Sequence, residues 1–229
     1  MHFSLFISSI AHIVSSYGLL QQYADDTQLY VTISKDNYDT PVAKLELFLS
    51  TLHTWFCCNG LAMNPNKSET IVFRTTQRSY CLPVSSIVNV AGTLVQVSNQ
   101  VRILGTTLDS RLSFDAYISA LSKSCLYHIC ALHHIRPNLT LDDSKNIACS
   151  LVGCCLDYVN STLVGILVNN ISLLQHLQRT LACVVACQRG CIGISKTLQE
   201  LHWLPIKWYI DYKVCTLTYK LLESGEPTI

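Results

Sequence analysis

Two adjacent carboxylates are the residues of this chain best suited to chemistry. Asp25 and Asp26 lie between two apolar, strand-like segments, at residues 18–20 and 29–33. Flanks of this kind predict a β-hairpin with the Asp pair at or beside its tight turn. Because two carboxylates held close together repel each other, the usual partner is a divalent cation, and Mg²⁺ typically binds one or two carboxylates together with substrate phosphates. From the pair alone, a solvated acidic turn is the alternative interpretation.

Cysteine and histidine form a second group of candidate residues. The chain has 12 Cys and 8 His, and their densest cluster is Cys125, His128, Cys130, His133 and His134. No Cys-x-x-Cys spacing occurs, which weakens the case for a structural zinc site. Because free cysteine behaves as a small apolar side chain when buried, we interpret these cysteines as core residues.

The composition bounds the class of protein. A chain of 229 residues is long enough for one or two domains with a real core. Its net charge is +1, so no strongly basic surface for nucleic acid is indicated. Charged residues make up 14% of the chain, below the usual value of about a quarter. The uncharged stretches 1–24 and 159–175 are interrupted by polar residues, so we predict no membrane span, no secretion signal and an intracellular location.

The hydrophobic periodicity predicts an α+β chain with a domain boundary near residue 110. A helix is expected to start at Thr40, as N-cap, with Pro41 at its first position, and to stop at Gly60. The other predicted elements before residue 110 are a helix at 4–16, a hairpin at 19–33, and strands at 69–74, 87–90, 94–97 and 101–108. Helices are predicted at 114–135, from Thr140 to about 158, at 171–187 and at 206–222.

Several motifs resemble one family in order and in spacing. Tyr-Ala-Asp-Asp followed by Thr-Gln-Leu-Tyr, at residues 23–30, resembles the catalytic hairpin of reverse transcriptases from LINE-type (non-LTR) retrotransposons. Residues 60–70 are similar to the next palm motif of that family, Gly-Leu-x-x-Asn-x-x-Lys-Ser/Thr. Residues 101–109 are similar to its Leu-Gly strand motif near the primer grip. The segments 201–206 and 218–220 resemble regions downstream of the polymerase core.

The resemblance implies a partial polymerase. Residues 1–110 would form part of the palm, with antiparallel strands and packed helices, and residues 111–229 an all-α thumb and post-thumb region. Only 24 residues precede Asp25, and none of them is acidic. We therefore expect the fingers and the first half of the palm, which carries a further catalytic aspartate in the family, to be missing.

The same resemblance assigns roles to the acidic pair and to one lysine. Asp25 would bind the catalytic Mg²⁺ ions, and Asp26 would support it directly or through a hydrogen bond. Lys67 matches the lysine of the family motif and would steady triphosphate charge or protonate the leaving group. A solvated loop lysine is the alternative for Lys67, and Asn64 is interpreted as a turn former.

Four further residues would contact nucleic acid. In the family, the positions of Tyr23 and Ala24 lie against the primer end and the template–primer duplex. Leu104 and Gly105 would shape the primer grip through close backbone approach, which suits glycine.

The expected function is that of a fragment of an RNA-directed DNA polymerase. Its partners in the parent enzyme would be an RNA template, a DNA primer and deoxynucleoside triphosphates, and no specific protein partner is predicted. Without the upstream aspartate we expect the chain to be inactive alone. The alternatives are a non-catalytic nucleic-acid-binding remnant and a translated retrotransposon relic without function.

Overall fold

The computed structural model describes residues 10, 19–34, 39–75, 87–188 and 193–225. The chain divides into two compact units between Val101 and Arg102. This division precedes the predicted boundary at residue 110, and the assignment of the two parts to palm and thumb stays a prediction. Among the described residues, no helix has the length and apolarity needed to cross a membrane.

The acidic pair lies on a hairpin, as predicted. Strands β1 (Leu19–Tyr23) and β2 (Asp26–Tyr30) pair antiparallel, with Tyr23 opposite Asp26. Only Ala24 and Asp25 separate the strands, so the turn is as tight as a hairpin allows. The helix predicted at residues 4–16 falls outside the described residues, apart from Ile10, which is helical.

Helix α1 (Asp39–Cys58) forms the core of the first unit. Its periodic apolar face buries Phe48, Leu49 and Leu52, and Leu29 of β2 packs against this face. The helix begins one residue before Thr40, which therefore lies in its first turn and not at the N-cap. The predicted stop is confirmed, because Gly60 has a φ of +72°. The N–H groups of Gly60 and Leu61 donate to carbonyls of the last turn at 3.2 and 2.8 Å, an arrangement that closes a helix C-terminus.

A small sheet packs against α1. Strands β4 (Ile87–Val90) and β5 (Thr93–Ser98) form the predicted hairpin, and the buried side chains of Val88 and Val90 face the helix. Strand β3 (Thr70–Ile71) pairs with the other edge of β5. Two predictions for this sheet differ from the structure. The pairing of β3 with β5 is parallel, whereas antiparallel strands were predicted, and only two residues of the predicted strand 69–74 join the ladder.

The strand predicted at 101–108 is wrong, since the chain reverses in its middle. Strands β6 (Gln100–Ile103) and β7 (Thr106–Asp109) pair with each other in a two-stranded sheet. Leu104 and Gly105 form the turn, with φ values of +46° and +81°. Left-handed backbone at both central residues is typical of one of the two favoured two-residue hairpin turns, and the glycine was its signal in the sequence.

The second unit is helical throughout its described part after β7. The helices are α2 (Asp115–Ile135), α3 (Leu141–Ala148), α4 (Cys154–Asp157), α5 (Val168–Val185), α6 (Ile194–Glu200) and α7 (Ile206–Ser224). A π-helical turn, Cys149–Gly153, joins α3 to α4. The predicted cap is confirmed, because Thr140 Oγ1 accepts a hydrogen bond from Asp143 N at 3.2 Å. Helix α6 was not predicted, since seven residues are too few for a clear period.

One apolar cluster holds these helices together. Helices α2 and α5 provide its centre, and the buried side chains there include Ile118, Cys125, Leu132, Leu174, Leu177 and Leu181. Asp157 adds a polar connection from α4 to α7. It accepts hydrogen bonds from the Tyr209 hydroxyl at 2.8 Å and from Lys213 Nζ at 3.1 Å. Since the cluster spans both long central helices, the stability of this unit depends on it.

Two leucines of α2 test this packing. Leu132 is 2% exposed and Leu126 is 44% exposed. Truncation of Leu132 to alanine should lower the free energy of unfolding by about 3 kcal/mol, because it leaves a cavity in the core. The matched Leu126→Ala change should stay within about 0.5 kcal/mol. Urea unfolding followed by circular dichroism measures both, and equal losses would contradict the packing described.

Candidate functional site

The β1–β2 turn presents the acidic pair to solvent. Asp25 occupies the turn itself, and Asp26 is the first residue of β2, so the two carboxylates are not constrained to opposite faces as they would be along a straight strand. Both side chains are exposed, and Tyr23 beside them is 60% exposed. Ala24 has a φ of +51°, a left-handed conformation that this tight turn imposes. The structure therefore brings Tyr23, Ala24, Asp25 and Asp26 together at one accessible tip.

The chemistry of this tip suits a hard divalent cation. Carboxylate oxygens are the ligands that Mg²⁺ takes from proteins, commonly one or two of them, with water or phosphate in the other positions. Within the described ranges, no group of three or more His, Cys, Asp or Glu side chains comes together in an arrangement that could hold a metal ion. Asp25 and Asp26 could thus bind an ion whose other coordination positions are filled by water or phosphate.

Lys67 lies in a separate, well-ordered turn. Residues Pro65–Lys67 form one turn of 3-10 helix. Asn64 caps it, since its Oδ1 accepts from Asn66 N at 3.1 Å and its carbonyl accepts from Ser68 Oγ at 3.1 Å. The interpretation of Asn64 as a turn former is confirmed. The Lys67 side chain is exposed, so both a phosphate contact and a solvated loop lysine remain open to it.

The Leu104–Gly105 turn is fixed by an aromatic residue of the same unit, which follows helix α4. The Tyr158 hydroxyl donates a hydrogen bond to the Leu104 carbonyl oxygen. A Cβ atom on Gly105 would lie 3.8 Å from the same hydroxyl, so the phenol is packed directly against the turn. Tyr117 in turn donates to the Tyr158 carbonyl oxygen at 3.2 Å. Burial, followed by the neighbouring Tyr158, raises the pKa of Tyr117, so its hydroxyl retains the donated proton at neutral pH.

Sequence reasoning missed Tyr158 because its contact is not local. The hydroxyl and the carbonyl that it binds belong to residues 54 positions apart. Tyr158 follows the last turn of α4, where no periodic pattern distinguishes it from other exposed aromatic residues. Only the left-handed turn at Gly105 carried a signal in the sequence.

Asp109 connects the same region to helix α2. Its carboxylate oxygens accept hydrogen bonds from Phe114 N at 2.9 Å and from Arg111 N at 3.2 Å. Partial burial acts to raise the pKa of Asp109, but these N–H groups together with Ser113 outweigh it and hold the pKa below its ordinary value. The carboxylate therefore fixes the geometry of the β7–α2 connection in its charged form.

The cysteines divide into buried and exposed groups. Cys125 is fully buried, and burial, with a smaller contribution from Cys155, raises the pKa of its thiol to about 12. Its predicted role as a core residue is confirmed. The same interpretation is wrong for the exposed cysteines of the described segments, which are Cys57, Cys58, Cys130, Cys149, Cys154, Cys187 and Cys215. Periodicity alone could not separate the two groups, since most of the exposed cysteines also occur in helices.

Comparison with known proteins shows similarity to one broad class of protein, the RNA-directed DNA polymerases of transposons. The chain is 31% identical over 108 residues to the probable RNA-directed DNA polymerase from transposon BS of Drosophila melanogaster. The match covers 47% of this chain and 11% of that protein, so the chain corresponds to a small part of its relative. No protein-family profile matches the chain, and no solved structure does.

The Asp109 carboxylate makes a pH-dependent contribution to stability. Its folded pKa lies below the ordinary value of 3.8. The stabilisation is therefore complete above the unfolded pKa and is lost as the pH falls through the folded pKa. At pH 7, Asp109→Asn should lower the free energy of unfolding by about 1 kcal/mol.

The sign of this effect can be checked by denaturant unfolding at two pH values. The gap between Asp109→Asn and the unmodified chain should be present at pH 6 and shrink toward pH 3. Asp142→Asn, which changes an exposed acid in the first turn of α3, is the charge-matched control. A gap that widens on acidification would show that Asp109 is not held in its charged form.

Proposed function

We propose that this chain is a segment of a retrotransposon RNA-directed DNA polymerase of the LINE type, and that its β1–β2 hairpin is the metal-binding tip of the polymerase palm. The hairpin is the observation that carries the proposal, because it places Asp25 and Asp26 side by side on an exposed turn. The similarity to a transposon polymerase supports the same class of activity.

Each residue of the candidate site has a distinct role in this proposal. Asp25, in the turn, is the main ligand for Mg²⁺, and Asp26 is a second ligand or orients the first. Bound Mg²⁺ would neutralise phosphate charge and polarise the attacking and leaving oxygens of nucleotidyl transfer. Tyr23 and Ala24 lie against the primer end, and Lys67 offers an ammonium group to the triphosphate.

The substrates follow from the same assignment. They are a DNA primer paired with an RNA template, together with deoxynucleoside triphosphates. Residues 110–229 contain ten Lys and Arg against eight Asp and Glu, a net charge of +2. Since phosphate neutralisation dominates the affinity of proteins for nucleic acid, such a weakly basic surface supports weak, salt-sensitive binding.

Two carboxylates are too few for the complete two-metal reaction. No third acidic side chain joins Asp25 and Asp26 to form a metal site in the described part of the chain. We propose that a further carboxylate, from another segment of the polymerase, completes the site. The chain alone would then bind nucleic acid without extending a primer. This is the non-catalytic alternative, and a relic without function would do neither.

Primer extension tests the catalytic assignment. The purified chain, a labelled DNA primer on an RNA template, all four deoxynucleotides and Mg²⁺ should give no extension, because the metal site is incomplete. Asp25→Asn and the control Asp142→Asn are assayed in parallel, with circular dichroism to show that each is folded. Extension that disappears with Asp25→Asn and survives in the control would overturn the predicted inactivity while supporting Asp25 as the metal ligand.

Nucleic-acid binding tests the assignment of Lys67. Fluorescence anisotropy with the same primer–template should show binding that weakens as salt is raised, because counterions are released. Replacement of Lys67 by alanine should weaken binding several-fold and reduce the salt slope by about one. Lys44→Ala removes an equally exposed charge from α1 and should have a smaller effect. Equal effects of the two changes would favour the solvated loop lysine.

A further inference from the structure

Tyr158 makes a contact that no part of the proposed reaction explains. Its hydroxyl donates to the Leu104 carbonyl, and its ring lies against Gly105, with Cε1 3.9 Å from where a Cβ would stand. Tyr158 is nevertheless 51% exposed, so the burial of apolar surface is not the main reason for this placement. The contact therefore stabilises the turn more than it adds buried apolar surface to the core.

The backbone around this contact is held in unfavourable conformations. Leu104 has a φ of +46°, and Val159, directly after the tyrosine, has a φ of +60°. Left-handed backbone is uncommon for any residue with a side chain and rare for a β-branched one. Such conformations persist only where the surroundings impose them, and they concentrate at functional sites.

A buried amide adds to the cost of the same segment. Asn160 is 1% exposed, and neither its Oδ1 nor its Nδ2 has a hydrogen-bonding partner among the described residues. Buried polar groups without a protein partner are few in folded proteins, and each calls for an explanation. Three consecutive residues thus combine a long-range hydrogen bond, a left-handed valine and an unsatisfied amide. All three features lie in Tyr158 and the two residues that follow it.

We propose that Tyr158 is a positioning residue, which holds the Leu104–Gly105 turn in the shape that contacts a DNA primer. The inference rests on the proposed function and on the primer contact that the family resemblance implies for Leu104 and Gly105, and it adds the residue that sets the geometry of the turn. A carbonyl oxygen repels the phosphate oxygens of a primer. The Tyr158 hydroxyl engages the Leu104 carbonyl, so this acceptor is directed toward the tyrosine. Tyr117 supports the arrangement through its hydrogen bond to the Tyr158 backbone.

Tyr158→Phe tests the inference, because it removes the hydroxyl and keeps the ring. In the full chain, amide hydrogen exchange at residues 104–106 should become about three- to tenfold faster. The Kd for a fluorescein-labelled DNA primer annealed to RNA should rise by a similar factor. Tyr212→Phe makes the same chemical change at a similarly exposed tyrosine of α7, which is 59% exposed, and should leave both quantities within about twofold. Thermal unfolding shows that both variants remain folded.

The outcomes separate this inference from the function on which it rests. If the unmodified chain binds the primer–template and Tyr158→Phe behaves like Tyr212→Phe, the positioning role is wrong and the proposed function stands. If exchange at the turn accelerates while the Kd is unchanged, the turn does not contact the primer. If the unmodified chain does not bind, the proposed function and the primer contact both fail, and hydrogen exchange alone decides whether Tyr158 holds the turn.

Discussion

Left-handed backbone at the hairpin turns is the constraint on which the candidate site depends. A two-residue connection matches the twist of its strands only when the backbone enters the positive-φ region. Ala24, Ala91 and Leu104 adopt it at the first turn position, although none of them is glycine. Each such residue costs roughly 1–2 kcal/mol relative to right-handed backbone. The strands must therefore be held by packing elsewhere, and that packing fixes the residues at the tips.

The two turns of interest are held by different means. In the β1–β2 hairpin, Leu29 packs against both apolar clusters that flank α1, only three residues after Asp26. Asp26 is thus exposed on a strand whose next apolar side chain is packed, and Asp25 lies in the turn just before it. In the Leu104–Gly105 turn, the anchor is the polar contact from Tyr158. Burial secures the first turn, and a directed hydrogen bond secures the second.

The sequence predicted elements where a local rule acts alone. The apolar period of α1, the stop at Gly60, the Thr140 cap and the tight turn beside Asp25 each depend on a few neighbouring residues, and each was found. The reversal at Leu104 was missed, because apolar residues on both sides resemble one continuous strand. The parallel partner of β3 and the contact of Tyr158 were beyond local rules, since both join distant residues. For the candidate site, the acidic tip was predictable and its supporting residues were not.

Electrostatics connects the two parts of the proposed function, which are metal binding and primer binding. Under the proposed function, Asp25 and Asp26 would place negative charge at the tip that a polyanionic primer approaches, and a pair of unit charges 4 Å apart repels by about 1 kcal/mol even in water. With a net charge of +1, the chain offers little general attraction to offset this repulsion. A divalent cation between the carboxylates and the phosphates would reverse the sign of the interaction. In the proposed polymerase, Asp25 and Asp26 would hold a cation that favours binding of the primer end as well as nucleotidyl transfer.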